Sequence, residues 1–391
     1  MNMKRSADLQ FIQSQPLTVK HFGDYNSQLV ATPEAIRAKK HVVARGNQDN
    51  LFPFRVEKID QTTGEIKQKS EFRLQICGRQ LVEDGWHIYR NGDSVNISGV
   101  MRCGNVWGCV FCASKVMRIQ GERIGQIFEY VANIDGYSYL ITYTASHQKS
   151  TPLEHQLNAF KNAKKFMIGT RAYRNIVQCR LGSVSATEIT YSDRSGWHPH
   201  QHDAWFFPNG VEIDPEKLAD ELFDCWKIAC SKFGLEASKF FLGRRVGVDV
   251  RKAWNAAEYM TKFDRERDWS LSAEMTAGRL KGSKGQSVTP WTILENSIIQ
   301  GRDSIYFKLW LEYLRATKGK SVVSLKSCRK LLIQLGLPTS FDDYKDANKA
   351  GEGEILATFS AESFHQIIKA GGMGTVLEQA RKGDFSKFLD F

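Results

Sequence analysis

Three histidines and a carboxylate dominate the chemistry available to this chain. Glu188-Ile-Thr-Tyr is followed by a short polar loop and then by Gly196-Trp-His-Pro-His-Gln-His-Asp-Ala-Trp-Phe-Phe207. Apolar and aromatic residues flank the block on both sides, so it reads as a β-hairpin. Side chains alternate along a strand, which puts His198, His200 and His202 on one face. If the Glu188 strand pairs with the histidine strand, its carboxylate reaches the same patch, and the set suits a divalent metal. The plain alternative is a row of solvated histidines on an open sheet face. The run Ala204-Trp-Phe-Phe207 speaks against that, because it needs a core on both sides.

A second reactive group lies downstream. Val246, Val248 and Val250 alternate as in a half-buried strand, and Asn255-Ala-Ala-Glu258-Tyr-Met-Thr-Lys262 follows. Asn255 and Glu258 have capping-box spacing, which places Tyr259 in the first helical turn and Lys262 one turn on. The helix dipole and the Lys262 ammonium both favour a phenolate. A tyrosine otherwise ionises only near pH ~10 and is a weak nucleophile at neutrality. The competing role for Tyr259 is simple packing beside Met260 and Phe263.

Together these blocks resemble the rolling-circle replication initiators of small plasmids, members of the HUH endonuclease superfamily. Three motifs occur in order across roughly residues 100 to 330: the strand Tyr137-Ser-Tyr-Leu-Ile-Thr-Tyr-Thr-Ala145, the Gly-Trp-His-Pro-His-x-His segment ending at His202, and Tyr259-Met-Thr-Lys262. The resemblance implies that His200 and His202 ligate a metal, that Glu188 is a third ligand or supporting acid, and that Tyr259 cuts a DNA strand. His198, ahead of Pro199, is then peripheral. The chain departs from the family pattern at Gln201, where an aliphatic residue is usual; its side chain should point away from the metal face. Mixed nitrogen and oxygen ligation favours Mn²⁺, with Mg²⁺ also able to serve. Attack by Tyr259 would leave a 5′-phosphotyrosyl link and a 3′ hydroxyl primer. No second tyrosine lies one turn from Tyr259, so Glu258 and Asp249 are the acids available to activate water at termination.

Upstream, Cys103-Gly-Asn-Val-Trp-Gly-Cys109-Val-Phe-Cys112 has zinc-knuckle spacing. Similar Cys-rich segments precede the catalytic domain in the initiators this chain resembles. A structural zinc normally takes four ligands; Cys77 and His87 are the candidates for the fourth, and spacing does not choose between them. Reduced buried cysteines or a redox pair are the alternatives.

The 391 residues suffice for two or three domains, and the net charge of +11 with a pI near 9.2 suits a polyphosphate partner. The amino terminus lacks the apolar core of a signal peptide, no apolar run approaches the ~20 residues of a membrane helix, and eight cysteines without a framework pattern fit a reducing cytoplasm.

The expected fold is α+β: a ferredoxin-like antiparallel sheet of the HUH endonuclease type, built in the order β-α-β-β-α-β-α. Its elements are a strand at 137–145, a helix at 152–168, strands at 181–191 and 197–207, a helix from Asp214 to about Phe233, a strand at 244–252 and the Tyr259 helix. The expected segments are a polar, partly disordered arm (1–65), a Cys-rich zinc-type segment with a helix at 117–132 (66–132), the nicking domain (133–270) and a mainly helical C-terminal region (271–391). In the last of these, Gly278 to Gly285 reads as a basic linker, and the aromatic helix face of Tyr306 to Gly319 reads as core before a base-stacking platform. The expected partners are plasmid origin DNA, single-stranded or extruded as a hairpin, with a host helicase and polymerase. A single-tyrosine transposase or relaxase would use the same chemistry. A non-catalytic zinc-containing DNA-binding protein is the reading from another class.

Overall fold

A computed structural model describes residues 33–82, 85–92, 94–146, 148–253, 287–340, 353–370 and 372–384. In chain order its elements are α1 (Pro33–Leu51), β1 (Arg55–Ile59), β2 (Ile66–Ser70), β3 (Gly85–Asn91), β4 (Ser94–Ser98), α2 (Val110–Asn133), β5 (Tyr137–Thr144), α3 (Leu153–Gly169), α4 (Arg171–Ile176), β6 (Gly182–Ser192) and β7 (Gly196–Phe207). There follow α5 (Pro215–Lys232), β8 (Phe240–Phe241), β9 (Arg244–Arg245), β10 (Val248–Lys252), α6 (Pro290–Gln300), α7 (Ile305–Thr317), β11 (Val323–Ser324), α8 (Arg329–Gln334), β12 (Glu354–Ser360), α9 (Ala361–Ala370) and α10 (Met373–Arg381).

The principal sheet has five antiparallel strands in the order β10-β5-β7-β6-β11. β5 and β6 run parallel to one another with β7 inserted between them, the split βαβ arrangement. The β6–β7 connection turns at Gly196, whose φ is +74°. A Cβ there would also sit 2.7 Å from the Lys149 carbonyl oxygen, so both conformation and close approach require glycine. Helix α5 starts where Asp214 accepts from the amides of Glu216 and Lys217, with Pro215 in its first turn.

Alternation divides the sheet. On one face Tyr139, Ile141, Tyr143, Trp205, Phe207, Val248 and Val250 pack against α3 and α5 through Phe160, Met167, Leu222 and Trp226. On the other, Val184, Ala204 and Phe206 pack against Ile124, Ile127, Phe128 and Val131 of α2 and Leu331 and Leu332 of α8. This second cover spans the Ala204–Phe206 end of β7; further along the same face come His202, His200 and His198.

Gln201 lies on the helix-covered face, as its parity requires, and there it donates to Asp203 Oδ1 at 2.7 Å. Asp203 Oδ2 accepts from Lys164 Nζ at 2.9 Å, and both partners are buried. The ammonium also stands 3.0 Å from the centre of the Tyr143 ring. A polar residue at position 201 is therefore one arm of a buried ionic network, where an aliphatic one would leave Asp203 with less compensation.

Three elements differ from the sequence expectation. Residues 33–51, within the segment read as a polar arm, form α1, which buries Val43 and Leu51 together with Asn47 and Gln48. Buried amides carry no hydrophobic period, which is why polarity alone missed them. The strand expected from residue 244 begins at Val248; Arg244 and Arg245 belong to a separate ribbon with Phe240 and Phe241. Gly247 makes the break, since a Cβ there would lie 2.6 Å from Phe223 Cε2 and 2.6 Å from the Ser238 carbonyl oxygen. In the C-terminal tail, β12 pairs with β3, forming a three-stranded sheet β12-β3-β4 under α9 and α10.

Two stability predictions follow from this packing. Asp203→Ala strands the Lys164 ammonium in the core and should cost about 3–5 kcal/mol, read as a lowered urea midpoint; Lys164→Met with Asp203→Leu should recover most of it. Equal stability of Asp203→Ala and wild type would contradict this account. The second concerns His41, wedged between Phe111 and Gly374. Burial, then Arg102 and Arg381, lower its pKa from 6.5 to about 4. Below 6.5 the unfolded chain gains a proton that the folded one refuses, so stability falls as pH drops toward 4 and levels off below it. Urea titrations at pH 7 and pH 4.5 should show His41→Phe losing about 2 kcal/mol less than wild type across that window.

Candidate functional site

Pairing register decides which side chains meet. His200 lies opposite Glu188 on β6 and opposite Thr144 on β5, while His202 lies opposite Thr142. The Nε2 atoms of His200 and His202 come within 2.9 and 3.0 Å of the same Glu188 oxygen, Oε2. The three potential ligand atoms all lie within 4.8 Å of one another. Glu188 keeps 47% of its side chain exposed, so the group opens to solvent on one side. Burial of the carboxyl end would raise the Glu188 pKa, but hydrogen bonds from the two imidazoles outweigh it and hold the group well below the usual carboxylate range.

The outer contacts orient the imidazoles. His202 Nδ1 is 3.0 Å from Thr142 Oγ1. With a metal bound, Nε2 would ligate in place of its contact with Glu188 and Nδ1–H would donate to that hydroxyl, fixing tautomer and ring plane together. His200 Nδ1 is buried without a hydrogen-bond partner among the described residues. Two nitrogens and one carboxylate, all converging on one point, can hold a divalent ion and leave it coordination sites for other ligands. His198 stands aside, its ring centre 5.3 Å from that of His200 and its atoms outside the converging group. Asp249 shares this face, opposite Thr142 on β10, and so lies two strand spacings, about 10 Å, from His202. Its carboxylate engages Arg251. Tyr259, Lys262, Glu258 and the basic stretch 278–285 lie outside the described residues.

The histidine strand is pinned from its first residues. Trp197 stacks on Tyr313 at 5.8 Å, and its indole donates to Glu312 Oε2 at 2.9 Å. Glu312 Oε1 accepts from the Leu153 amide at 2.8 Å, holding the start of α3. Trp310 and Tyr313 are buried, so the aromatic face of α7 is core. Thr142 and Glu312 escaped sequence reading: both act across strand or helix contacts that no local spacing encodes, although Thr142 falls in the first motif strand.

The cysteines form a second centre. Cys77, Cys103, Cys109 and Cys112 are all buried, and their sulfurs converge. The Cys77–Cys112 separation is 3.7 Å; Cys103–Cys112 and Cys77–Cys109 are each 3.6 Å. Sulfurs around a tetrahedral ion with metal–sulfur bonds of about 2.3 Å would be about 3.8 Å apart. The fourth member is thus Cys77; His87 instead bonds Thr358 Oγ1 at 2.9 Å. Donation from Cys103, Cys109 and Cys77 draws the Cys112 thiol well below its ordinary pKa, while Cys103 and Cys109, as donors in the buried cluster, are held above theirs. Around the centre, Gln48 donates to the carbonyls of Leu74 and Cys77, Asn47 to that of Gly108, and Trp310 to Asn47. Cys109 precedes α2, so the centre fixes the start of the helix whose far end supports the sheet.

Comparison with known proteins follows the same lines. Over 348 residues the chain is 26% identical to "Protein rep" of Streptomyces lividans, covering 71% of this chain and 74% of that one. A shorter similarity, 25% identity over 130 residues, covers 27% of this chain and 30% of the "Neomycin resistance protein" of Streptomyces cyanogenus. No family model matches, and no solved structure matches. Similarity spread over most of both chains supports a plasmid Rep protein, the class that the sequence motifs resemble. No described helix is long and apolar enough to cross a membrane.

The cysteine assignment makes a prediction. Cys77→Ser should lower tightly bound metal from about one per chain and lower the melting temperature, whereas His87→Ala should change neither the metal content nor its resistance to chelator. Elemental analysis beside thermal melts decides it; metal retained in full by Cys77→Ser would remove Cys77 from the set.

Proposed function

We propose that this protein is a replication initiator that nicks one strand of plasmid origin DNA on an HUH endonuclease fold with a ferredoxin-like sheet. The observation that carries the reading is the convergence of Glu188, His200 and His202 on an open sheet face in a chain similar to a Rep protein. In this reading the three residues hold Mn²⁺ or Mg²⁺, and Cys77, Cys103, Cys109 and Cys112 hold a structural Zn²⁺. When bound, the divalent ion supplies positive charge to a non-bridging phosphate oxygen.

The chain's own groups do the rest. Tyr259 attacks phosphorus through its phenolate oxygen. An oxygen–phosphorus bond forms to the 5′ side, the bond from phosphorus to the 3′ oxygen breaks, and that oxygen leaves as a hydroxyl after taking a proton. Lys262 lowers the cost of the phenolate. Thr142 holds His202 in the ligating tautomer. The free 3′ hydroxyl then serves as a primer for a host polymerase, with a host helicase opening the duplex and Glu258 available to activate water at termination. A cytoplasmic location fits this work. A single-tyrosine transposase or relaxase would share the chemistry; similarity to a Rep protein favours the initiator.

An origin oligonucleotide with Mn²⁺ tests the reading. Wild type should form a covalent adduct that maps to Tyr259. Tyr259→Phe should form none, and His200→Ala or His202→Ala should slow adduct formation by on the order of 10²-fold or more. Binding should stay within a few-fold of wild type, since it rests on phosphate contacts. Lys262→Ala should lose less. Binding without cleavage by the metal-loaded wild type would instead favour a non-catalytic zinc-containing DNA-binding protein, and an adduct at Tyr191 or Tyr306 would displace Tyr259.

A further inference from the structure

The ribbon β8–β9 presents an unusual tip. Phe240 and Phe241 pair with Arg245 and Arg244, joined by the two-residue turn Leu242-Gly243. Both turn residues have positive φ, 49° and 75°, the pattern of a type I′ turn. Such a turn prefers Asn-Gly, because a leucine there is strained. Leu242 is also 87% exposed, beside Phe240 at 55% and Phe241 at 63%. Three adjacent apolar side chains thus face solvent, and Leu242 does so on a backbone that its type disfavours.

The ribbon is held firmly at its base. Arg245 bonds Glu216 at 2.8 Å and Asp220 at 2.7 Å, and Lys239 bonds Asp220 at 2.8 Å. The Arg245 guanidinium lies 5.3 Å from the Phe240 ring centre. Arg244 has no ion-pair partner among the described residues. The root of the ribbon lies at the candidate site's end of the sheet, while its anchors Glu216 and Asp220 belong to α5, which covers the face opposite the histidines. The Gly247 carbonyl accepts from the Thr144 amide at 2.9 Å, and Thr144 lies opposite His200, itself opposite Glu188. Leu242 lies five positions before Gly247, a reach of at most about 17 Å.

We infer that the β8–β9 tip is a wedge that binds a junction between double- and single-stranded DNA, stacking Phe240, Phe241 and Leu242 on bases exposed at the branch while Arg244 meets the backbone. This rests on the proposed reading of the site as a DNA-cutting centre. A flexible single strand lays its phosphates across a sheet face more readily than a stiff duplex, so strands parting near the sheet would serve the site. Exposed aromatic and leucine side chains are the groups that stack on unpaired bases or enter base steps. With Lys239 and Arg245 matched by Asp220 and Glu216, Arg244 is, among the described residues, the one cation of the ribbon left to meet a phosphate.

The test uses three DNAs of arbitrary sequence: a blunt duplex, a single strand and a fork with unpaired arms carrying 2-aminopurine at the branch. Wild type should prefer the fork over the blunt duplex by about tenfold in anisotropy titrations, the scale of stacking one or two bases, and should quench the 2-aminopurine. Phe240→Ala with Phe241→Ala, and separately Leu242→Asn, should reduce the preference to under about twofold while leaving blunt-duplex affinity unchanged. Leu242→Asn installs the favoured turn pair, so its melting temperature should equal or exceed that of wild type, which separates lost contact from lost fold. Fork preference retained in both variants overturns the wedge, as does equal binding of fork and duplex by wild type. A wild-type dimer that becomes monomeric in Leu242→Asn also overturns it. Failure of wild type to bind any of the three DNAs overturns the reading of the site itself.

Discussion

Everything at the candidate site depends on the register of β7. Its side chains alternate between two incompatible environments: His198, His200 and His202 face an open patch, while Trp197, Asp203 and Trp205 face a closed core. A slip of one residue would exchange the sets, burying imidazoles and exposing the ionic partner of Lys164. Two interactions oppose such a slip. The Lys164–Asp203 pair is buried, so leaving either charge unmatched is severe. At the strand's start, Trp197 is held between Tyr313 and Glu312. With the strand fixed at both places, Glu188 and Thr142 meet the histidines.

The cysteine centre extends this support. It joins the loop at Cys77 to the start of α2, and Asn47, Gln48 and Trp310 tie it to α1 and α7. α7 supplies Glu312 and Tyr313 to the histidine strand, and α2 supplies Ile127, Phe128 and Val131 to the face that the histidines share. The two centres therefore rest on the same set of packed elements. Disturbing the sulfur centre should be felt first in the placement of α2 and α7.

Most of the fold's central unit was legible. Period-two patterning and turn residues marked β5, β6 and β7 within a residue or two, and Asp214-Pro215 marked the start of α5. Alternation plus one assumption about pairing gave Glu188 with three histidines, and the family resemblance singled out His200 and His202; the observed register supplies the pairing. The position of Gln201 was set by the same parity, but its partner Asp203 became evident only beside Lys164.

The sequence by itself determined the local chemistry: which residues alternate, where helices cap, and that three thiols cluster within ten positions. These are short-range properties, set by backbone geometry over a few residues. The tertiary structure decided what chain separation hides. It chose Cys77 over His87 as the fourth thiol-centre member, brought Thr142 to His202 across a strand pair, buried the amides of α1, and returned β12 to β3 from the far end of the chain. Each of those choices depends on packing between distant segments, whose energies are shared among many residues and leave no periodic trace in any one of them.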